Sequence, residues 1–214
     1  MKLRLKEPLS GALHFLGAVL AVLALVALIL NGLDSPWKIV SFSIYGATLI
    51  LLYNFSTLYH WAPPELGGKN QLFRKLDHLS IYLLIAGSYT PFCLVTMRGP
   101  WGWSLLGVVW GLALIGIMVQ AIYINVDRRL TTLIYIGMGW MVLVAIKPLL
   151  AALPPNGIWL LFLGGLAYSL GGVVYALKKP NFSRFFGFHE LWHLFVLLGS
   201  FLHFLAIYLY IAGT

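Results

Sequence analysis

Two pairs of polar residues in an otherwise apolar chain have the spacing that places both side chains on one face of a helix. His189 and His193 are four residues apart, and the same spacing relates Ser56 to His60. Three imidazoles from two helices would form a three-ligand metal site that leaves one position open for water. Zinc suits these ligands because imidazole is borderline-soft and no thiolate is available, although iron and nickel also bind imidazole. Asp77 could hold the water in that position, and the Ser56 hydroxyl could supply a further hydrogen bond.

Other polar residues near this set have simpler interpretations. His78 points about 100° around its helix from the neighbouring carboxylate, which favours a structural or interfacial role. His203 lies about 15 Å further along its helix than His193, so we interpret it as a packed, hydrogen-bonded histidine. Glu7 and His14 flank the start of the first helix, where a position near the site and a plain interfacial role are both open.

The last helix also contains the pattern His189-Glu190-x-x-His193, which is typical of zinc proteases. In that pattern the two histidines bind the metal and the glutamate activates water. An intramembrane protease would need Asp77 or His60 as a third ligand, and little chain follows the motif to complete such a site. Glu190 also points about 100° away from the adjacent histidine.

The composition shows what kind of fold must position these residues. The chain has 214 residues, of which 61% are hydrophobic and 9% charged, with a formal net charge of +8. A soluble domain of this size requires a charged exterior, so these values exclude one. They also exclude a disordered chain and a basic nucleic-acid-binding protein. The sequence therefore predicts an all-α integral membrane protein.

Runs of about 20 apolar residues predict seven membrane-spanning helices in a single domain covering residues 1–214. The predicted helices are 10–31, 38–61, 77–97, 101–124, 130–151, 157–177 and 188–211. The pairs Gly107-x-x-x-Gly111 and Gly165-x-x-x-Ser169 predict close helix packing inside the bundle, with dimerisation as the alternative. The sequence leaves the oligomeric state open.

Basic residues predict the orientation of this bundle. Eleven lie on one side, in the N-terminus and the second, fourth and sixth connections, whereas three, Lys38, Arg98 and Lys147, lie on the other. This distribution places the N-terminus in the cytoplasm and the C-terminus outside. We expect a multi-pass membrane protein, and the short chain without targeting extensions favours a bacterial inner membrane. With this topology, helices 2, 3 and 7 bring the histidines and Asp77 to the cytoplasmic side.

At these positions the sequence resembles the hemolysin III family, the bacterial branch of the progestin and adipoQ receptors, which include the adiponectin receptors. The resemblance covers nearly the whole chain. The motifs that carry it are Glu7-x-x-Ser10-x-x-x-His14, Ser56-x-x-x-His60, the stretch from Lys75-Leu76-Asp77 through Ile85-Ala86-Gly87-Ser88-Tyr89-Thr90-Pro91-Phe92, and His189-x-x-x-His193 leading to His203-Phe204. Together these motifs are highly specific. The first departs from the family pattern, since Ser10 stands where Asn is expected.

The resemblance implies a seven-helix fold with the N-terminus in the cytoplasm, in agreement with the charge distribution. It also implies a zinc ion held by His60, His189 and His193, with Asp77 and Ser56 around the metal-bound water. Eukaryotic relatives are receptors associated with ceramidase activity, and the similar alkaline ceramidases hydrolyse a lipid amide. The family does not require a glutamate at position 190.

Two functions from different classes follow as expectations. The first is a zinc-dependent hydrolase of a lipid amide or ester, in which Asp77 takes up the proton and a membrane lipid is the substrate. The second is a non-enzymatic, receptor-like sensor or regulator of membrane homeostasis, in which zinc joins helices 2 and 7 structurally. Toxin action, which the family name suggests, and the intramembrane protease are the remaining alternatives. A cavity from the metal site to lipid or cytoplasm would distinguish the hydrolase from the structural site.

Overall fold

The computed structural model describes residues 5–63, 66, 68–123, 126–183 and 186–213. Almost all of these residues are helical, and none of them lies in a strand. Seven of the described segments are long and apolar enough to cross a membrane: Pro8–Leu30, Pro36–Trp61, Lys69–Thr96, Pro100–Ile122, Arg128–Ala152, Pro155–Leu177 and Phe188–Ala212. The predicted fold class, an all-α bundle of seven membrane-spanning helices, is confirmed.

The spans are built from eight α-helices and three short segments of other helix types. The α-helices are α1 (Pro8–Leu30), α2 (Pro36–Trp61), α3 (Gly68–Pro91), α4 (Pro100–Ile122), α5 (Arg128–Gly139), α6 (Ile146–Ala152), α7 (Pro155–Leu177) and α8 (Phe188–Ile207). Four of them begin with proline, whose fixed φ suits the first helical turn. Its lack of an N–H costs no hydrogen bond there, because the first N–H groups of a helix have no partner within the helix. Proline therefore sets where α1, α2, α4 and α7 begin.

Three spans depart from α-helical geometry. Pro91 ends α3, and the chain continues as a π-helix over Phe92–Thr96, since proline removes a backbone donor from the helical ladder. A 3-10 segment, Trp140–Ala145, separates α5 from α6 within the fifth span. A second π-helix, Tyr208–Ala212, continues α8. The sequence prediction of seven uninterrupted helices did not include these changes.

The prediction that Asp77 and His78 lie in the first turn of the third helix is wrong. Helix α3 begins at Gly68, so both residues lie more than two turns inside it. The prediction followed the apolar run, whereas lysine, glutamine and arginine are good helix formers and extend α3 before that run begins. As a result Asp77 lies inside the bundle, with 4% of its surface exposed.

The helices pack as a ring around an interior that α1, α2, α3, α5, α7 and α8 enclose in turn. Contacts join α1 to α2, α2 to α3, α3 to α5, α5 to α7, α7 to α8 and α8 back to α1, while α4 packs on α3. The third span is the most buried and the second follows it, because both have neighbours on several sides. These two spans carry Asp77, Ser56 and His60 towards the interior.

The two ends of the bundle differ in charge. Helices α1, α3, α5 and α8 begin at the same end, where α2, α4 and α7 finish, and we refer to it as the basic end. Its described basic residues are Lys6, Lys69, Arg74, Lys75, Arg128, Arg129, Lys178 and Lys179. The basic end corresponds to the side that the sequence predicts to be cytoplasmic. That orientation stays a prediction.

The glycine pairs differ from their predicted role. A side-chain carbon added at Gly107 or Gly111 would meet no described atom within 4 Å, so the prediction of close packing inside the bundle is wrong for this pair. A side-chain carbon added at Gly165 would lie 3.8 Å from the Trp140 ring. The tight helix contacts use other glycines. At Gly87, for example, an added carbon would lie 2.9 Å from the Thr48 Cβ atom of α2.

Gly87→Leu should destabilise the protein, because the larger side chain would separate α2 from α3. Overpacking of this kind costs about 1–3 kcal/mol. Gly107→Leu is the matched control, since it adds the same side chain in a helix but meets open space. The measurement is the thermal unfolding midpoint of the detergent-purified variants. Equal midpoints for both variants would contradict the close approach of α2 and α3.

Candidate metal centre

Three histidines from two helices meet at the basic end of the bundle. His60 lies in the last turn of α2, and His189 and His193 lie in the first turns of α8. One ring nitrogen from each lies within 4.8 Å of those of the other two. The Nε2 atoms of His60 and His189 are 3.3 Å apart. His60 and His193 have no exposed surface and His189 is half-buried, so these three residues, the histidine cluster, could hold a metal ion.

Hydrogen bonds fix which nitrogen of two of these rings is free. His60 Nδ1 lies 2.5 Å from Glu7 Oε2, and His193 Nδ1 lies 3.2 Å from the Ser10 carbonyl oxygen. A carboxylate and a carbonyl accept hydrogen bonds, so in both rings Nδ1 carries the hydrogen and Nε2 keeps its lone pair. The Nε2 atom of His193 is buried and has no hydrogen-bond partner among the described residues. Ligation of a metal would satisfy it.

Glu7 is the acceptor for His60 and lies just before α1. The hydrogen bond with His60 holds the pKa of the Glu7 carboxyl below its usual value, so Glu7 is ionised at neutral pH. The Glu7 backbone N–H donates to the His60 carbonyl oxygen at 3.0 Å, which joins the two residues a second time. A carboxylate bonded to the far nitrogen of a ligand histidine fixes the ring and raises its basicity.

Ser10 and Glu190 connect the start of α1 to the start of α8. The Ser10 hydroxyl donates to Glu190 Oε1 at 2.7 Å, and Glu190 Oε2 accepts from the Gly187 backbone N–H at 2.9 Å. Glu190 thereby caps the first turn of α8. Both of its carboxylate oxygens are engaged in holding helices. This accounts for the glutamate of the His189-Glu190-x-x-His193 pattern without a chemical role.

His14 packs directly on the histidine cluster. Its ring stacks on His193 with centroids 3.6 Å apart and an interplanar angle of 11°, and its edge meets the Tyr53 ring at 5.1 Å. His14 is buried, and neither ring nitrogen has a hydrogen-bond partner among the described residues. Because the rings are parallel, the nitrogens of His14 lie in a separate plane from those of His193. His14 therefore forms a wall of the site.

Asp77 and Ser56 lie beside the cluster. The Asp77 carboxyl is buried on α3 and interacts electrostatically with His60 and with its neighbour His78. Ser56 has 1% of its surface exposed, and its hydroxyl interacts with the Asp77 carboxyl. A buried hydroxyl next to a buried carboxyl is suited to binding a water or a substrate oxygen.

The two remaining histidines lie outside the cluster. His78 is half-buried on α3, and its backbone carbonyl accepts from the Tyr135 hydroxyl at 3.1 Å. His203 lies further along α8, where its Nε2 donates to the Leu161 carbonyl oxygen at 3.3 Å and its ring packs edge-on against Tyr168. The interpretation of His203 as a packed, hydrogen-bonded residue agrees with these contacts.

A cavity of about 230 Å³ adjoins the site inside the ring of helices. Asp77 and His14 line its end near the histidine cluster, and its wall follows α7 from Tyr175 to Ile158, about 25 Å of helix. Most of the wall is apolar, including Ile81, Leu84, Ile85, Ile146, Leu161 and Val196. The polar cluster therefore stands at one end of a long apolar space.

A comparison with known families shows which family the chain belongs to. A family model described as Haemolysin-III related matches residues 3–204, which include every residue of the site. The chain belongs to the hemolysin III family. Its predicted family resemblance is thereby confirmed, and the seven apolar helices together with hemolysin III membership confirm a multi-pass membrane protein.

Individual relatives match over most of the chain. The chain is 42% identical to Hemolysin-3 of Bacillus cereus over 213 residues, which cover 98% of this chain and 94% of the relative. It is 42% identical to a Hemolysin-3 homolog of Bacillus subtilis (strain 168) over 199 residues, with 92% and 90% covered. It is 29% identical to the human Monocyte to macrophage differentiation factor over 184 residues, with 83% and 73% covered.

Sequence reasoning missed the contacts of Glu7 and Ser10. Both were visible in the motif Glu7-x-x-Ser10-x-x-x-His14, whose spacing of three and four residues places its members along one helix face. The spacing indicates that these residues share a helix face, but it does not indicate which residues that face contacts. The partners lie 53 residues away at His60 and 180 residues away at Glu190.

Replacing His60, His189 and His193 together by alanine should remove bound metal, because the converging ring nitrogens are lost. We expect about one metal ion per chain in the detergent-purified wild type and none in the triple variant. His78→Ala is the control, since it removes a histidine of the same region that lies outside the cluster. The measurement is elemental analysis of the purified proteins. A folded wild type that binds no metal after reconstitution would contradict the site.

Glu7→Ala should lower metal affinity about 10- to 100-fold, the usual effect of removing a carboxylate that orients a ligand histidine. Asp34→Asn is the matched control, because Asp34 bonds Lys38 at 2.9 Å at the opposite end of the bundle. Affinity is measured by competition with a chromophoric chelator. Equal affinities of Glu7→Ala and wild type would show that Glu7 does not support the site.

Proposed function

We propose that this hemolysin III protein is a zinc-dependent hydrolase of a lipid amide or ester. The observation that carries the proposal is that Asp77 lines the apolar cavity together with His14, whose ring stacks on His193 of the histidine cluster. A hydrolase needs its reacting groups to be accessible to substrate, whereas a purely structural metal site does not. The expected substrate is a membrane lipid, in agreement with the multi-pass fold.

Zinc fits the donors that the cluster offers. A tetrahedral zinc ion with bonds of about 2.0–2.1 Å separates its imidazole ligands by about 3.3–3.4 Å, and His60 and His189 are 3.3 Å apart. Cys93 is the single cysteine of the chain and is buried in the hydrophobic core, so it does not compete as a thiolate ligand. When bound, zinc would polarise a carbonyl and lower the pKa of water.

The protein's own residues supply the remaining functions. Asp77 would accept the proton that hydrolysis releases from water, since it is buried beside the cluster, whereas Glu7 is hydrogen-bonded to His60 and Glu190 caps α8. Ser56, whose hydroxyl faces Asp77, would orient the substrate or the water by a hydrogen bond. The apolar cavity would hold the acyl chain and exclude water from it.

The polar site and the apolar cavity together favour an amphipathic substrate. The scissile linkage would lie near the basic end, where we expect the cytoplasmic headgroup region, and the acyl chain would extend along α7. This placement requires the N-terminus to be cytoplasmic, as the distribution of basic residues predicts.

The second candidate is a receptor-like sensor or membrane regulator with a structural zinc. The complete burial of His60 and His193 is the observation that favours it, since closed structural sites hold their metal away from solvent. The cavity beside Asp77 favours the hydrolase. The intramembrane protease is less well supported, because Glu190 uses both carboxylate oxygens to hold helices. The names of the Bacillus relatives suggest haemolytic action, but no described feature of the site supports it.

Asp77→Asn should reduce lipid hydrolysis by about 100-fold or more, because it removes the proton acceptor and keeps the shape of the side chain. Metal content should stay that of the wild type. Asp127→Asn is the matched control, as it changes an exposed carboxyl at the same end and asparagine caps a helix equally well.

The assay uses zinc-loaded protein with lipids that carry the same fluorescent acyl chain in amide or ester linkage. Full activity of Asp77→Asn would show that Asp77 is not the base. A zinc-loaded wild type that hydrolyses neither linkage would favour the structural role of the metal.

A further inference from the structure

One arginine at the basic end turns towards the interior of the bundle. Asp127 caps α5 by accepting from the backbone N–H groups of Arg129 and Leu130 at 2.9 and 3.0 Å, which fixes the first turn. Within that turn the Arg128 guanidinium lies 5.1 Å from the centre of the Tyr175 ring on α7. The adjacent Arg129 is exposed. Two neighbouring arginines therefore have different environments.

The guanidinium of Arg128 is held in place but incompletely bonded. Its Nη2 donates to the Ala176 carbonyl oxygen at 3.2 Å, near the end of α7. Its Nε is buried and has no hydrogen-bond partner among the described residues. Arginine presents its donors in a planar fork, and a buried donor without a partner is costly. The fork therefore has bonding capacity that the described protein does not use.

The positive charge of Arg128 also lacks a carboxylate partner. Within the described residues the ion pairs are Lys38 with Asp34 and His60 with Glu7. The other described carboxyls of the basic end have their own roles, since Glu7 bonds His60, Glu190 caps α8 and Asp127 caps α5, while Asp77 belongs to the proposed reaction site. An anion from outside the chain is the group that would complement this arginine.

Arg128 stands next to the proposed reaction site. The Tyr175 ring beneath it lies 6.2 Å from the His189 ring and 4.2 Å from the Trp192 ring. Tyr175 lines the cavity together with Asp77. The Arg128 guanidinium therefore lies beside the end of the cavity that is near the histidine cluster.

We propose that Arg128 binds the phosphate of an anionic lipid whose acyl linkage reaches the histidine cluster. Arginine recognises phosphate through two parallel N–H donors, which a partly free fork can supply. The subsite deepens the proposed hydrolase function, because it names a phosphate-bearing lipid as the substrate class. A general attraction of basic loops to the membrane would involve Arg129 as much as Arg128.

The test measures binding and not turnover. Zinc-loaded protein in a neutral detergent is titrated with phosphatidylglycerol and with diacylglycerol of the same acyl chains, and bound lipid is counted by native mass spectrometry. The Asp77→Asn background prevents hydrolysis during the measurement. We expect about tenfold or tighter binding of phosphatidylglycerol, the effect of charge-assisted hydrogen bonds.

Arg128→Gln should reduce phosphatidylglycerol binding to that of diacylglycerol, whereas Arg129→Gln should leave it within about twofold of the parent protein, as expected for an exposed charge. Arg128→Lys is the second variant, since it keeps the charge and the contact with α7 but loses the planar fork. It should bind with intermediate affinity. Unchanged thermal midpoints show that a loss of binding is not a loss of folding.

Equal effects of Arg128→Gln and Arg129→Gln would overturn the subsite and leave the hydrolase proposal untouched. Inorganic phosphate that binds through Arg128 while phosphatidylglycerol does not would assign the subsite to a free anion and overturn the lipid. Binding that depends on Arg128 in a protein whose wild type hydrolyses no lipid would support the subsite and remove the hydrolase. The two proposals therefore fail separately.

Discussion

The rest of the structure depends on how two buried imidazoles are held by acceptors from the start of α1. His60 and His193 lie where solvent does not reach, so each Nδ1 hydrogen requires an acceptor within the protein. Glu7 supplies a carboxylate and Ser10 a backbone carbonyl. The start of α1 must therefore lie tightly against α2 and α8. Gly11 permits this approach, since any side chain there would overlap the Trp61 ring.

The same need for internal hydrogen bonding explains how the fifth span tolerates its break. Where α5 changes to a 3-10 segment, backbone groups lose their helical partners inside the membrane. The Tyr89 hydroxyl of α3 has one hydrogen, which the carbonyl oxygens of Met138 and Gly139 share, and it accepts from the Val142 backbone N–H. One side chain thus bonds three backbone groups at the break, as an irregular backbone within a membrane protein requires. The break forms part of the cavity wall, which gives the apolar space beside the site its shape.

The sequence was sufficient for the spans and for the members of the histidine cluster, since apolar length and a spacing of four residues are local properties. It was insufficient wherever burial, packing or a contact depends on which helix lies against a given helix face. The depth of Asp77 was wrong because polar residues before the apolar run also form helix. The prediction for Gly107 was wrong because a small residue permits a second helix to approach but does not place a helix there. The contact between Glu7 and His60 requires knowledge of how α1 lies on α2.

Charge counting and side-chain geometry also answer different questions at the basic end. The excess of Lys and Arg predicts which end faces the cytoplasm, and for that purpose Arg128 and Arg129 are equivalent. The structure separates them, because the cap at Asp127 turns one guanidinium onto Tyr175 and leaves the other exposed. Since every acidic group close to Arg128 is engaged or belongs to the reaction site, its unsatisfied donor is a local feature that orientation alone does not require. Residues at a membrane surface can therefore combine a topological signal with specific recognition.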